Sequence, residues 1–386
     1  MSNHPTGKNH MLLVAAIVLL SSITPALLTT APIVAAQLGK QLSLAPTQVG
    51  SLFSAEMGAM SLATLPSLWW LRRVNWKLIA VIAAVVFIVG NLLSAHFTSY
   101  VSLLCLRFMT ALSGGTLMIV CKTSAASMPN PSRVYGLWVT GQLVLGAIGL
   151  WVLPAFFGSY GISALFIGMA ALMVACLPLV FRLPDGHATK ASTRGDAKHY
   201  AGWARTLAAI LMFYVSLSAM WTFISGLSGA AHLAAPLAAK ILSAATLVGI
   251  AGSLVTGIGG QDDRMSRQFL AGFGLMLASI ACLYGTPGIV RFAIAVLAFK
   301  FSWTYVLPLM LGKLANQDPS GRAMSFSSLV IGGGLAIGPL LGGALIQTFN
   351  GYDELVVVSF FILVLSAGLI MAGQRRSLLV LETGSK

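Results

Sequence analysis

Acidic residues are nearly missing from this chain. Asp and Glu together number 9 in 386 residues, and all four charged types make up only 8%. A soluble domain covers its surface with about a quarter to a third charged residues, so the composition excludes one. Cysteine is scarce as well. Cys105, Cys121, Cys176 and Cys282 lie within apolar runs, at spacings that suit neither a disulfide framework nor a zinc site, and read as buried apolar thiols. No G-x-x-x-x-G-K-S/T run occurs, which removes ATP as the direct energy source. No H-E-x-x-H run occurs either, and one carboxylate alone lies well inside an apolar run. A membrane-embedded enzyme, which needs paired catalytic groups, is therefore not expected, and no cofactor or metal is implied.

What the chain has is hydrophobicity, 57% of all residues, gathered into twelve runs. They cover about 11–37, 48–70, 78–98, 100–127, 135–157, 161–182, 205–227, 236–258, 268–286, 289–312, 325–348 and 354–373. A bilayer core about 30 Å thick requires helices of ~20 apolar residues, so these are read as spans 1 to 12 of an all-α membrane protein. With the N-terminus inside, Lys and Arg crowd the inner loops. The outer loops hold only Lys40, Lys240 and Arg291, and Arg107 and Lys300 fall inside spans. That asymmetry is the positive-inside rule, and it predicts a multi-pass protein of the cytoplasmic membrane with both termini in the cytoplasm. The net charge of +14 thus reflects topology, and nucleic acid is not an expected partner. Lys8 ahead of span 1, with small residues from Ala31 to Ala36, superficially suggests a signal peptide. Removing span 1 would leave eleven spans and invert an orientation that fits the charges.

The longest polar stretch divides the chain into an N-terminal six-helix half (1–182), a cytoplasmic linker (183–204) and a C-terminal six-helix half (205–386). The halves echo each other. NPSRVYG, from Asn130, follows span 4, and DPSGRAM, from Asp318, follows span 10; their prolines, Pro131 and Pro319, are 188 residues apart. The turn at Arg72 and Arg73 corresponds, 191 residues on, to Asp263 and Arg264. A near-constant offset is what duplication of a six-helix unit leaves behind. Transporters built from such repeats bind substrate near the midplane.

Twelve spans in two related halves, with charged cytoplasmic turns after spans 2 and 8, resemble the major facilitator superfamily. The resemblance implies two pseudo-symmetric six-helix bundles working by alternating access. The family's turn G-x-x-x-D-R-x-G-R appears after span 8 as GGQDDRMSR, where Gly259, Asp263, Arg264 and Arg267 match and Ser266 replaces the second glycine. By resemblance, Asp263, Arg264 and Arg267 latch the cytoplasmic gate; simple topogenic charge is the other reading. The copy after span 2 is eroded to WWLRRVNWK, with Arg72 at the aspartate position and Asn75 at the glycine position. The family's antiporter-associated pattern G-x-x-x-G-P-x-x-G-G is complete in span 11, at Gly334, Gly338, Pro339, Gly342 and Gly343, whereas span 5 keeps only Gly141, Gly146, Gly149 and Pro154. The glycines at i, i+4 and i+8 permit close helix approach and the proline invites a bend, so these residues read as a packing and hinge element.

Ionisable groups inside spans cost about 3 kcal/mol each on insertion scales and mark functional sites by default. Glu56, on a face shared with Ala59, Met60 and Ala63, is a candidate proton-coupling group; a carboxylate permanently paired with a cation is the alternative. Arg107 begins the family's span-4 arginine motif, with Thr110 and Ala111 in place of its polar residue and glycine. It is a candidate for coupling or for substrate binding, and a static pair with Glu56 is the other reading. Lys300 is central in span 10 with no carboxylate in its half's spans, which suggests an anionic group on the substrate; a neutral buried amine or a pair with Glu56 are alternatives. Trp303 and Tyr305 beside it, and Trp221 and Tyr214 in span 7, are candidate cavity-lining aromatics. The expected function is secondary active transport of a small molecule, a small organic anion before others, coupled to protons by a monomer in the lipid bilayer. Proton-coupled efflux of hydrophobic drugs and a non-transporting receptor are the rivals, and every loop is short for a sensor's output domain.

Overall fold

The computed structural model describes residues 7–185, 200–256, 262–317 and 322–383, and these are helical throughout apart from short turns. The chain groups into two compact units, one of residues 1–44 and 55–191, the other of residues 45–54 and 192–386. Most of the predicted linker, 186–199, lies outside the described residues, as does the 318–321 turn, and the side chains of Asp263 and Arg264 are likewise not described.

Span 1 is built in three pieces: α1 (Gly7–Ile23), α2 (Ala26–Thr29) and α3 (Ala31–Leu42). The cause of the first break is Pro25, which has no N–H to give to the carbonyl four residues back. That carbonyl belongs to Ser21, and it is satisfied from another helix by Trp138 Nε1 at 3.2 Å and Gln142 Nε2 at 2.9 Å. Span 2 is likewise divided into α4 (Pro46–Leu62) and α5 (Thr64–Trp70), ahead of Pro66. Then follow α6 (Trp76–His96), α7 (Tyr100–Ala126), α8 (Pro131–Tyr160) and α9 (Ser163–Val180). The second unit holds α10 (Tyr200–Ala230), α11 (Ala235–Thr256), α12 (Asp262–Ala281), α13 (Ile289–Gln317), α14 (Arg322–Phe349) and α15 (Asp353–Thr383).

Among the described residues, nine helices are long and apolar enough to cross a membrane. Spans 1 and 2 are outside that set because they are interrupted, and span 9 because α12 opens on charged residues. The surface confirms the solvent. On α6, Ile82, Val85, Val86 and Val89 are exposed, while Ala83, Ala84, Phe87 and Asn91 are buried, an apolar-out arrangement that only lipid tolerates over many helices.

Within each unit the helices pair in the same pattern. In the first, α1 packs on α8 and α9, and α6 on α7 and α9; in the second, α10 packs on α14 and α15, and α12 on α13 and α15. Small residues set the closest contacts. The glycines of span 5 serve span 1: a Cβ at Gly141 would lie 2.7 Å from Ser22 Oγ, and one at Gly146 would lie 2.7 Å from Thr29 Cβ. In span 11, a Cβ at Gly334 would lie 2.6 Å from Tyr214 Cβ, one at Gly338 would meet the Val215 carbonyl oxygen at 2.5 Å, and one at Gly342 would meet Phe223 at 3.0 Å. The glycine stripe therefore brings the α14 backbone onto α10 between Leu211 and Phe223. Gly343 lies against Pro46, and Pro339 against Gly50, from the part of α4 that groups with the second unit.

Candidate functional site

The first unit contains one buried ion pair. Arg107 Nε donates to Glu56 Oε2 at 2.9 Å, Nη2 donates to Oε1 at 2.6 Å, and Nη1 donates to Asn91 Oδ1 at 2.9 Å. Asn91 Nδ2 in turn donates to the Phe87 carbonyl at 2.8 Å, and the guanidinium lies 5.0 Å from the Phe166 ring centroid. Glu56 is 1% exposed and Arg107 2%. Packing places these groups together: a Cβ at Gly115 would lie 2.8 Å from Met60 Cα, so α7 and α4 touch at the backbone, while Gly90 of α6 abuts Thr110. The fork-to-fork geometry is the strongest form of such a pair, and with Asn91 it leaves neither charge orphaned. Of the two sequence readings of Arg107 and Glu56, the described state is the paired one. Asn91 escaped the sequence reading, although an amide in the middle of span 3 was a signal that could have found it.

The second unit treats its buried cation differently. Lys300 is 4% exposed, and its Nζ lies 3.6 Å from the Trp221 ring centroid and 3.9 Å from that of Trp303. The two indoles meet edge to face, 6.1 Å apart at 78°. Trp303 is further flanked by Phe299, edge to face at 6.3 Å. Among the described residues the ion pairs are Arg107–Glu56 and Lys77–Asp185, so Lys300 has no carboxylate partner there. Its helix is fixed by contacts away from the cage. Thr304 Oγ1 donates to the Gly249 carbonyl at 2.6 Å, and a Cβ at Gly252 would lie 2.5 Å from Thr304 Oγ1, so α13 lies directly on α11. Tyr305 is placed outside the cage: its ring stacks on Phe301 at 5.9 Å and packs against Gly272 of α12.

In the turn after span 2, Asn75 caps α6 by accepting from the Lys77 amide at 2.8 Å. Asp185 reaches the same turn, accepting from Lys77 Nζ at 2.7 Å and from Asn75 Nδ2 at 3.1 Å. The eroded turn thus receives a carboxylate from the segment after span 6. Lys77, and then Asn75, hold the Asp185 carboxyl below its ordinary range. In the other turn, Arg267 is exposed on α12.

The chain is similar to known proteins in sequence and in fold. The model of the Major Facilitator Superfamily matches residues 11–317. The inner membrane transport protein YdhP of Escherichia coli (strain K12) is 26% identical over 346 residues, 85% of this chain and 87% of that protein. The 4-hydroxybenzoate transporter PcaK of Acinetobacter baylyi is 30% identical over 150 residues, 36% of this chain and 32% of that protein. Among solved structures, a variant of the nucleoside transporter NupG superposes with a TM-score of 0.79 at 12% identity, over 95% of this chain and 99% of that one, a likeness of fold. Duplicated helical units, polar groups buried centrally within an apolar exterior and a family match over most of its length make this chain a membrane transporter of the major facilitator superfamily.

Proposed function

We propose that the chain is a proton-coupled secondary transporter of a small organic anion, set in the cytoplasmic membrane with both termini inside. The observation that carries this reading is the caged Lys300, a central cation without a carboxylate among the described residues. A buried ammonium in that condition is stabilised further when an anion arrives, and that differential stabilisation is what a substrate site requires. Lys300 binds the anionic group, and Trp221 and Trp303 contact the apolar part. Glu56 is the coupling carboxylate: taking up a proton removes half of its pair with Arg107 and frees a guanidinium in the core of the first unit. The carboxylate in the name of the PcaK substrate supports the choice of anion, and the name of YdhP supports the inner membrane.

The test is uptake and counterflow in proteoliposomes, with 4-hydroxybenzoate, aliphatic carboxylates and lipophilic cations, with and without an inward proton gradient. Concentrative uptake of carboxylates driven by the gradient is expected. Counterflow of lipophilic cations with none of carboxylates would overturn the anion assignment. Carboxylate counterflow that a proton gradient leaves unaltered would overturn the coupling.

A further inference from the structure

The two indoles around Lys300 are not equivalent. Trp221 is 0% exposed and sits on α10, whereas Trp303 is partly exposed and sits one turn beyond Lys300 on its own helix. A carboxylate oxygen pairs with an ammonium at about 2.8 Å. With ring centroids at 3.6 and 3.9 Å and the lysine 4% exposed, that approach is closed until an indole moves. Trp221 cannot leave without emptying a packed core. Trp303 is the partly exposed one, and its ring contacts are edge to face with Trp221 and Phe299.

We propose that Trp303 is a lid on Lys300, exchanged on binding for a planar aromatic monocarboxylate; the inference rests on reading Lys300 as the substrate's cation site. In the empty protein the two ring faces hold the ammonium by cation–π attraction, which is strongest where water is excluded. A ligand that displaces one face must restore what it removes. A short aliphatic acid brings only the ion pair. An aromatic acid brings the ion pair and a flat ring, which fills an indole-shaped slot bordered by Trp221 and Phe299 without leaving a void. A saturated ring of equal carbon number has the charge but is thicker and has no π face.

The test titrates purified wild type, Trp303→Phe and Trp303→Ala with benzoate, cyclohexanecarboxylate and benzylamine. Binding is read from thermal stabilisation, and Trp303 from the difference in indole emission between wild type and Trp303→Phe. Benzoate is expected to bind about ten-fold more tightly than cyclohexanecarboxylate and to change the wild-type emission. In Trp303→Phe benzoate should still stabilise the protein while the emission change disappears, and in Trp303→Ala the preference for benzoate should narrow. Equal affinity for the two acids would overturn the aromatic class and leave the anion reading standing. Benzoate binding with unaltered wild-type emission would overturn the lid, and this measurement decides even if neither variant folds. Stabilisation by benzylamine and by neither acid would remove the anion reading itself.

Discussion

Arg107 and Lys300 are both buried to within 4% of full enclosure in long transmembrane helices and both lie over aromatic rings, yet only Arg107 has a carboxylate beside it. Arg107 meets a carboxylate with two hydrogen bonds and an amide with a third, from two neighbouring helices. Lys300 meets two indole faces. A guanidinium stays charged wherever it is put, and its planar fork suits exactly such a bidentate partner, so the first unit gains a fixed brace across α4, α6 and α7. An ammonium on aromatic faces is only partly compensated, and it retains the capacity to stabilise an arriving anion. One half therefore compensates its buried charge within the fold, and the other surrounds its lysine with rings and no carboxylate among the described residues. Duplicated units with a common helix pairing have diverged at their centres.

That contrast is broken most directly by removing each cation. Arg107→Met leaves Glu56 buried without its counter-ion and should destabilise the protein by about 3–5 kcal/mol, seen as a large fall in melting temperature. The double change Glu56→Gln with Arg107→Met should recover much of the loss, because apolar or neutral replacement of both partners is far less costly than orphaning one. Lys300→Ala should do the reverse. Stability of the purified protein is expected to hold, since no partner is orphaned, while affinity for a carboxylate falls by about 2–5 kcal/mol, read as loss of ligand-dependent thermal stabilisation. Equal destabilisation by the two single changes would dissolve the distinction between brace and site.

Glu56→Gln sharpens the comparison within the first unit. Gln keeps one carbonyl oxygen for Arg107, and Asn91 keeps the other contact, so the cost should be about 1–3 kcal/mol, less than that of Arg107→Met. Dependence of uptake on the proton gradient should vanish while energy-independent exchange persists. A Gln variant that still concentrates substrate as wild type does would make Glu56 part of the brace alone.

The apolar runs and the all-helical membrane fold were legible because bilayer thickness fixes helix length. The span-11 glycines were legible too, since a stripe at i, i+4 and i+8 has little use other than close packing, and α14 does lie on α10 there. Span 1 reads in sequence as one run over 11–37, whereas Pro25 breaks the helix. Which side chains would reach the orphaned Ser21 carbonyl depended on α8, and Trp138 and Gln142 lie over a hundred residues away. Long-range partners also explain the rest. Sequence left a Glu56–Arg107 pair as one of two readings, and packing at Gly115 and Gly90 joins the two in one network with Asn91. Trp221 and Trp303 read as generic cavity aromatics, and only the crossing of α10 and α13 put both faces on one ammonium.

The smallest expected effect concerns the turn after span 2 in the first unit, which lacks the motif aspartate that the second unit's turn retains. Asp185 stands in for it from the far side of span 6, bonded to Lys77 and Asn75. Asp185 is exposed and Lys77 partly so, which leaves the pair weak and screened by water and salt. Its pH dependence has a definite sign. Lys77 first, and Asn75 next, depress the Asp185 carboxyl below the ordinary aspartate value. The pair is therefore fully present above about pH 3.9 and fades as pH falls through the lower, folded-state value. Asp185→Asn should lower the melting temperature slightly near neutral pH, and the gap from wild type should close in strong acid or at high salt. Asn keeps one acceptor for Asn75 but loses the charge that Lys77 meets. A gap that stays constant into acid would mean that the neutral hydrogen bond alone holds the turn, and that the missing aspartate has not been replaced in its electrostatic role.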